Sequence, residues 1–208
     1  NKAIEAKSNE YFSEEVASII IPGTNQEIGH DLDGCMRQSS LESMARLKPA
    51  FIDNGVVTAA TSSPLTDGSS FSLVASQRAV NEYNLTPMAR IVSAAVVGVN
   101  PDEMGLGPIP STLLALKRAG LSVEDLDVIE LNEAFSSQSL ACIDELNLPI
   151  EKINIDGGAI ALGHPLGASG ARIVGKTASL LQRNGGQYGL ATMCIGGGMG
   201  IATILERV

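Results

Sequence analysis

Three residues carry side chains suited to chemistry, and each sits beside glycine, proline or a helix start. Cys194 opens the stretch Cys-Ile-Gly-Gly-Gly-Met-Gly (194–200). A thiol, with a reference pKa of about 8.5, gives and takes protons close to neutrality. The backbone N–H groups of residues 196–198 can turn inward with no side chain in the way, forming an oxyanion site or lowering the pKa of Cys194. His164 lies in Gly-Gly-Ala-Ile-Ala-Leu-Gly-His-Pro-Leu-Gly-Ala-Ser-Gly (157–170). The following proline biases His164 to an extended backbone, so its ring is carried by a loop before a helix. Asn132 opens Asn-Glu-Ala-Phe (132–135), where its amide can hold a water or a carbonyl oxygen. Singly, each has an ordinary reading: an inert buried thiol, a structural histidine, a helix cap. Together, a thiol, an imidazole and an amide suit enolate and tetrahedral-oxyanion chemistry at a thioester. Cys142, in the helical pattern Ser-Leu-Ala-Cys-Ile (139–143), reads as core, and Cys35 as an incidental loop thiol. The glycines of 157–170 match neither a phosphate-binding Walker loop nor a dinucleotide fingerprint.

Positioning these groups requires an alternation of strand and helix. Residues 89–99 read as a buried strand, 110–119 as a helix opened by proline and closed by Gly120, and 127–131 as a strand. A helix at 133–146, a strand at 153–155 and a long helix at 168–183 follow, the last closed by Asn-Gly-Gly (184–186). Strands at 188–193 and 201–207 then form an antiparallel hairpin. The pattern predicts an α/β layered fold, a mixed sheet covered by helices, with the three candidates at the C-terminal ends of strands. Before residue 87 the chain reads as loop-rich: a weak helix at 2–10, a strand at 16–21, and surface loop at 24–38. A capping box at Ser39–Glu42 opens a short helix, and a strand at 56–60 and a helix ending near Tyr83 follow. Residues 87–208 look like a complete domain and residues 1–86 like pieces of others.

The 208 residues, 44% hydrophobic, suffice for a sizeable core. No apolar run approaches the roughly 18 residues of a spanning helix. A net charge of -9 without clustered Lys or Arg argues against nucleic acid as a partner. Three cysteines, none paired at metal-ligand spacing, favour neither disulfides nor a metal site and fit a reducing, cytoplasmic setting. Asn1 in place of Met, with no export signal behind it, implies that sequence precedes it.

The motifs at 132–135, 157–172 and 194–200 resemble the signatures of the thiolases, the acetyl-CoA acetyltransferase and 3-ketoacyl-CoA thiolase group, in that family's order. Similarity extends to Ser-Met-Ala-Arg-Leu-Lys-Pro-Ala-Phe (43–51), Thr-Asp-Gly (66–68) and Met-Gly-Leu-Gly-Pro-Ile-Pro (104–110). The resemblance implies that Cys194 is a general acid/base, that His164 binds the thioester oxygen and activates a nucleophilic thiol, and that Asn132 holds a water completing that oxyanion site. The Gly196 N–H would serve a second oxyanion site. Coenzyme A would lie near Leu47, Phe51, Ala59 and Ser63, with Met104, Ala134 and Phe135 at the pantetheine and acyl end, and Arg37 near the phosphates. The family's acyl-accepting cysteine has no match here, since Cys35 in Asp-Gly-Cys-Met-Arg (33–37) lacks its context. Residues 1–65 thus resemble part of the loop domain that binds coenzyme A, 66–86 a return into the N-terminal half, and 87–208 the whole C-terminal half. On this resemblance, most of the N-terminal half is expected to lie outside these residues. The implied reaction is Claisen condensation of two acetyl-CoA and its reverse, with degradative 3-ketoacyl-CoA thiolysis as the alternative. A non-catalytic subunit that binds coenzyme A or lipid, or a structural subunit, is the reading from another class. Coenzyme A thioesters are substrates and no cofactor is called for. The expected partners are an N-terminal portion, in the same or a separate chain, and further copies in a dimer or tetramer. Alone, the chain is expected to be inactive and to expose an apolar face.

Overall fold

The computed structural model describes residues 1–20, 29–30 and 33–208. The chain opens with helix α1 (Lys2–Ser8), whose Ala3 and Ala6 are buried. Of the strand expected at 16–21, β1 (Ile19–Ile20) forms and pairs antiparallel with β2 (Gly29–His30). The surface loop read at 24–38 therefore contains a strand; its residues 24–28 and 31–32, like residue 21, lie outside the described residues. Helix α2 (Leu41–Ala45) starts one residue later than expected. Its capping box closes between Ser40 and Ser43, while Glu42 instead forms an exposed ion pair with Arg46.

The strand expected at 56–60 is absent. The Thr58 N–H donates to Thr61 Oγ1 at 2.8 Å and the Thr61 N–H to the Thr58 carbonyl at 3.1 Å. Threonine side chains thus draw the backbone into a turn instead of a ladder. Beyond it, residues 64–76 run on without regular structure to α3 (Gln77–Glu82), which Ser76 caps.

From residue 89 a four-stranded sheet takes over, with strand order β3-β6-β5-β4. Its members are β3 (Ala89–Gly98), β4 (Val128–Leu131), β5 (Tyr188–Ile195) and β6 (Met199–Arg207). β3 and β5 each pair antiparallel with β6, and β4 pairs parallel with β5, giving the mixed sheet expected. β3 is an edge strand rather than a buried one: Ala95 is its only fully buried residue, and Ile91 and Val96 face outward. The strand expected at 153–155 reduces to a single bridge between Ile129 and Ile153.

Helices cover both faces. α4 (Pro108–Ala119) begins at a proline, which has no N–H to leave unpaired, and ends at Gly120 with φ 68°. α5 (Ser136–Leu146) packs with it, and Ile129, Leu190 and Ile204 join their side of the core. Val128 and Leu205, one residue along their strands, face the other way onto α7 (Leu166–Asn184). Between them lies the single-turn α6 (Ala159–Leu162). The first residues of the chain lie against this body. Lys2 Nζ donates to the Ile153 carbonyl at 2.7 Å, and Gly157, at φ 95°, packs on Ala3. Lys176 of α7, 4% exposed, pairs with Glu15 at 2.9 Å and Asp156 at 2.6 Å. Among the described residues, no helix is long and apolar enough to cross a membrane.

Candidate active site

β4 ends at Leu131, and the next residue, Asn132, leaves the sheet with its N–H donated to the Thr192 carbonyl of β5 at 3.0 Å. This fixes Asn132 at the C-terminal edge of the sheet, 1% exposed. Its Oδ1 is buried without a partner, and its Nδ2 lies 3.4 Å from His164 Nε2. His164 stands between α6 and α7, on a loop as its proline predicts. Its ring Nδ1 is 2.6 Å from Ser169 Oγ, one turn into α7, and that hydroxyl donates onward to the Pro165 carbonyl at 3.1 Å. With the serine proton so used, the ring proton belongs on Nδ1 and Nε2 is left bare, an acceptor for the Asn132 amide. Burial, and then the charge of Arg172, lower the pKa of His164, so the ring is neutral at pH 7.

Cys194 lies on β5, two residues beyond the Thr192 that receives Asn132, hence about 7 Å farther along an adjacent strand. It pairs across the hairpin with Gly200, and residues 196–198 form the turn. Gly197 and Gly198 have φ of 87° and 92°, a conformation that favours glycine. Gly198 is also pressed against Val99 and Pro101, whereas Gly196 is exposed with open space around it. Gly200 touches Gly107, just before α4, so closely that a Cβ on either would overlap the other's backbone. A backbone hydrogen bond does lower the thiol pKa, one of the two effects the glycine turn offered, but it does not set the net direction. Burial outweighs the backbone hydrogen bond and raises it, leaving Cys194 a protonated thiol at neutrality. Cys142 is core, as read from its helical pattern: it is fully buried and its pKa is pushed up to about 11. On the α7 side of β4, burial likewise raises the Glu130 carboxyl to about 8 against the opposing charges of Arg172 and Lys176.

The expected coenzyme A residues divide into two groups. Ser63 donates from its N–H and hydroxyl to the Ala134 carbonyl at 3.0 and 3.2 Å, and Ser62 bridges to Phe135. Ser63, Ala134 and Phe135 thus surround the loop that carries Asn132. Ala59 is exposed in the preceding turn. Leu47 and Phe51 are exposed on a turn-rich excursion, and Arg37 is exposed before α2. Met104, half-buried, sits in the arm between β3 and α4. None of these five donates or accepts a side-chain hydrogen bond within the Asn132–His164 cluster among the described residues.

Sequence reasoning missed two partners of His164. Ser169 had a local signal, a hydroxyl in the first turn of the helix that the histidine precedes. Thr66, whose Oγ1 accepts the His164 N–H at 3.0 Å, is 98 residues away; the similarity at 66–68 marked it without pointing to this contact. A cleft of about 380 Å³ opens beside this contact, lined by Leu65, Thr66, Asp67, His164 and Leu166. A cavity of about 420 Å³ between residues 10–15 and the end of α7 touches none of the three candidates.

Comparison with known proteins bears on what this cluster is. Residues 1–78 match the family model described as thiolase, N-terminal domain, and residues 85–207 that of thiolase, C-terminal domain. The chain is 49% identical to a 3-ketoacyl-CoA thiolase of Yersinia enterocolitica over all of its own length and 55% of that protein. It is 53% identical to one of Shigella boydii over 86% of its length and 50% of the relative. Among solved structures, human mitochondrial 3-ketoacyl-CoA thiolase superposes with TM-score 0.93 at 42% identity, over 100% of this chain and 53% of that one. Bacillus anthracis acetyl-CoA acetyltransferase gives 0.94 at 39%, over 100% and 53%. The chain spans about half the length of these proteins. The two family models together match residues 1–78 and 85–207, with all three motifs inside the second match, and the chain belongs to the thiolase family.

Proposed function

We propose that this chain supplies the acid/base half of the active site of a 3-ketoacyl-CoA thiolase, an acyltransferase that cleaves 3-ketoacyl-CoA with free coenzyme A. The observation that carries the reading is the Asn132–His164 contact at the sheet edge where Cys194 also ends its strand. The acyl-accepting cysteine comes from an N-terminal portion, in the same or a separate chain. His164, neutral with a bare Nε2, takes the proton of that thiol. The thiolate attacks the 3-keto carbon, the C2–C3 bond breaks, and the electron pair passes to the acetyl-CoA enolate. The enolate oxygen meets the His164 N–H so formed and a water held by Asn132. Cys194, kept protonated by burial, delivers its proton to C2. The resulting thiolate then receives the proton of incoming coenzyme A, whose sulfur attacks the acyl-enzyme, with the Gly196 N–H on the tetrahedral oxyanion; its collapse releases the acyl-CoA and the enzyme thiolate, which regains its proton from His164. Ser63, Ala134 and Phe135 hold the pantetheine arm beside Asn132, with Met104 at the acyl end. Leu47, Phe51, Ala59 and Arg37 serve the nucleotide end.

The sequence favoured acetyl-CoA condensation; the names of the relatives favour the degradative alternative. Acetyl-CoA acetyltransferase remains the second reading, supported by the equally close superposition of the Bacillus anthracis enzyme. The deciding experiment measures thiolysis of acetoacetyl-CoA and of a long-chain 3-ketoacyl-CoA by the chain with and without its N-terminal portion. We expect no turnover by the chain alone, and turnover by the assembled protein that is faster on the longer substrate. Faster acetoacetyl-CoA cleavage selects the second reading. Unchanged rates after Cys194→Ser would refute acid/base catalysis by this sulfur.

A further inference from the structure

Asn132 and His164 sit on different loops that are anchored separately, Asn132 through its N–H to the Thr192 carbonyl and His164 through Thr66 and Ser169. The loop of Asn132 is followed by Glu133, and the Glu133 carboxylate reaches across to the other loop. Its Oε2 accepts the N–H of Ile160 in α6 at 3.1 Å. Its Oε1 accepts from Asn154 Nδ2 at 3.0 Å. Asn154, 3% exposed, is itself tied to β4. Its Oδ1 accepts the Leu131 N–H at 3.0 Å, its Nδ2 donates to the Leu131 carbonyl at 2.8 Å, and its N–H donates to the Ile129 carbonyl at 2.9 Å. Gly158 adds a steric observation. Its φ of -118° suits any residue, yet a Cβ there would overlap the Glu133 carboxylate. The glycine is required by the carboxylate and not by the backbone.

We propose that Glu133 is a positioning residue: its carboxylate clamps the Asn132 loop to the 154–164 loop and so sets the Asn132–His164 separation on which the oxyanion site depends. Glu133 does not reach the reacting atoms. A carboxylate suits the task because it offers acceptors on two sides to two donors, one from each direction. The inference rests on the proposed thiolase activity for its kinetic consequence, but the clamp has a readout of its own.

Glu133→Gln keeps the shape while turning one acceptor into a donor that faces Ile160 N–H or Asn154 Nδ2. In the assembled thiolase, this change should lower kcat for 3-ketoacyl-CoA thiolysis by about 10- to 100-fold, as expected for misplacing a catalytic pair, with KM within about twofold. Gly158→Ala, which displaces the carboxylate, should act alike in the wild type and cost nothing further in a Glu133→Ala background. In the 208-residue chain itself, both single variants should speed amide exchange at Ile160 and shift the ring-nitrogen signals of His164. Wild-type kcat in Glu133→Gln, or an equal cost of Gly158→Ala in both backgrounds, overturns the clamp. If Glu133→Gln fails to fold, Gly158→Ala carries the same comparison. An assembled wild type without thioester turnover defeats the proposed function instead, and the Ile160 and His164 signals then decide the clamp alone.

Discussion

Residues 87–208 and residues 1–86 satisfy burial in different ways. Among the described residues, every buried apolar side chain of the core lies at or beyond Ala95, apart from Ala3 and Ala6. The second region therefore holds itself together by two cores on the faces of one sheet. The first is held from outside, by Lys176 and Ser179 gripping Glu15, Lys2 reaching the Ile153 carbonyl, and Ser70 donating to the Ala168 carbonyl at 2.5 Å. Its own large apolar residues point away: Leu65, Phe71, Leu73 and Val74 are all more than three-quarters exposed. The difference teaches that the first region is shaped by polar contacts with the second. The site at His164 inherits that dependence through Thr66.

The strongest way to break the comparison is at the seam. Asp156 pairs with Lys176 and bidentately with Arg183, the latter through two hydrogen bonds of 2.7 Å. Asp156→Ala leaves Arg183 without its carboxylate and Lys176 with Glu15 alone, and should destabilise the chain by about 3–5 kcal/mol in urea unfolding. Residues 1–15 should become the first target of limited proteolysis. Burial raises the Asp156 pKa, but the hydrogen bonds and charges of Arg183 and Lys176 outweigh it and hold it below the ordinary 3.8. The folded-state pKa is thus the lower one. The stabilisation is complete above 3.8, is lost as pH falls through the folded pKa, and the variant should converge on the wild type there.

Next in size is a pair of truncations, one in each region. Leu190→Ala in β5, at a fully buried position, should cost about 2–5 kcal/mol. Phe71→Ala, at a position 93% exposed, should change the unfolding free energy measured in urea by no more than about 0.5 kcal/mol. Equal losses would mean that residues 1–86 have a core of their own and would erase the contrast. The smallest effect sharpens it at the site. Thr66→Val removes the acceptor of the His164 N–H and should cost about 1 kcal/mol, read by urea unfolding. The His164 ring signals should shift with it.

Much of this was legible in the sequence, for a physical reason that also explains the failures. β4, β5 and β6, the helix opened by proline and closed by Gly120, and the placement of His164 on a loop follow from residues next to one another. So does the glycine turn after Cys194. The errors arose where a distant or competing partner decides. Residues 56–60 have strand-forming side chains but no strand to join, and Thr58 and Thr61 turn them back on themselves. β3 reads as buried because its residues are apolar, yet its place at the sheet edge was set by topology. Thr66 and Glu133 bind partners 98 and 27 residues away, and no spacing in the sequence encodes either distance. The net direction of the thiol pKa was hidden because local N–H groups were visible in the sequence and the surrounding burial was not.

The touching glycines 107 and 200 join two bare backbones with no side chain as a cushion between them. Any displacement of the arm that bears Met104 passes undamped into the strand opposite Cys194. The arm and the hairpin strand that pairs with Cys194 are therefore one block, and a substitution that shifts this arm should also shift the sulfur.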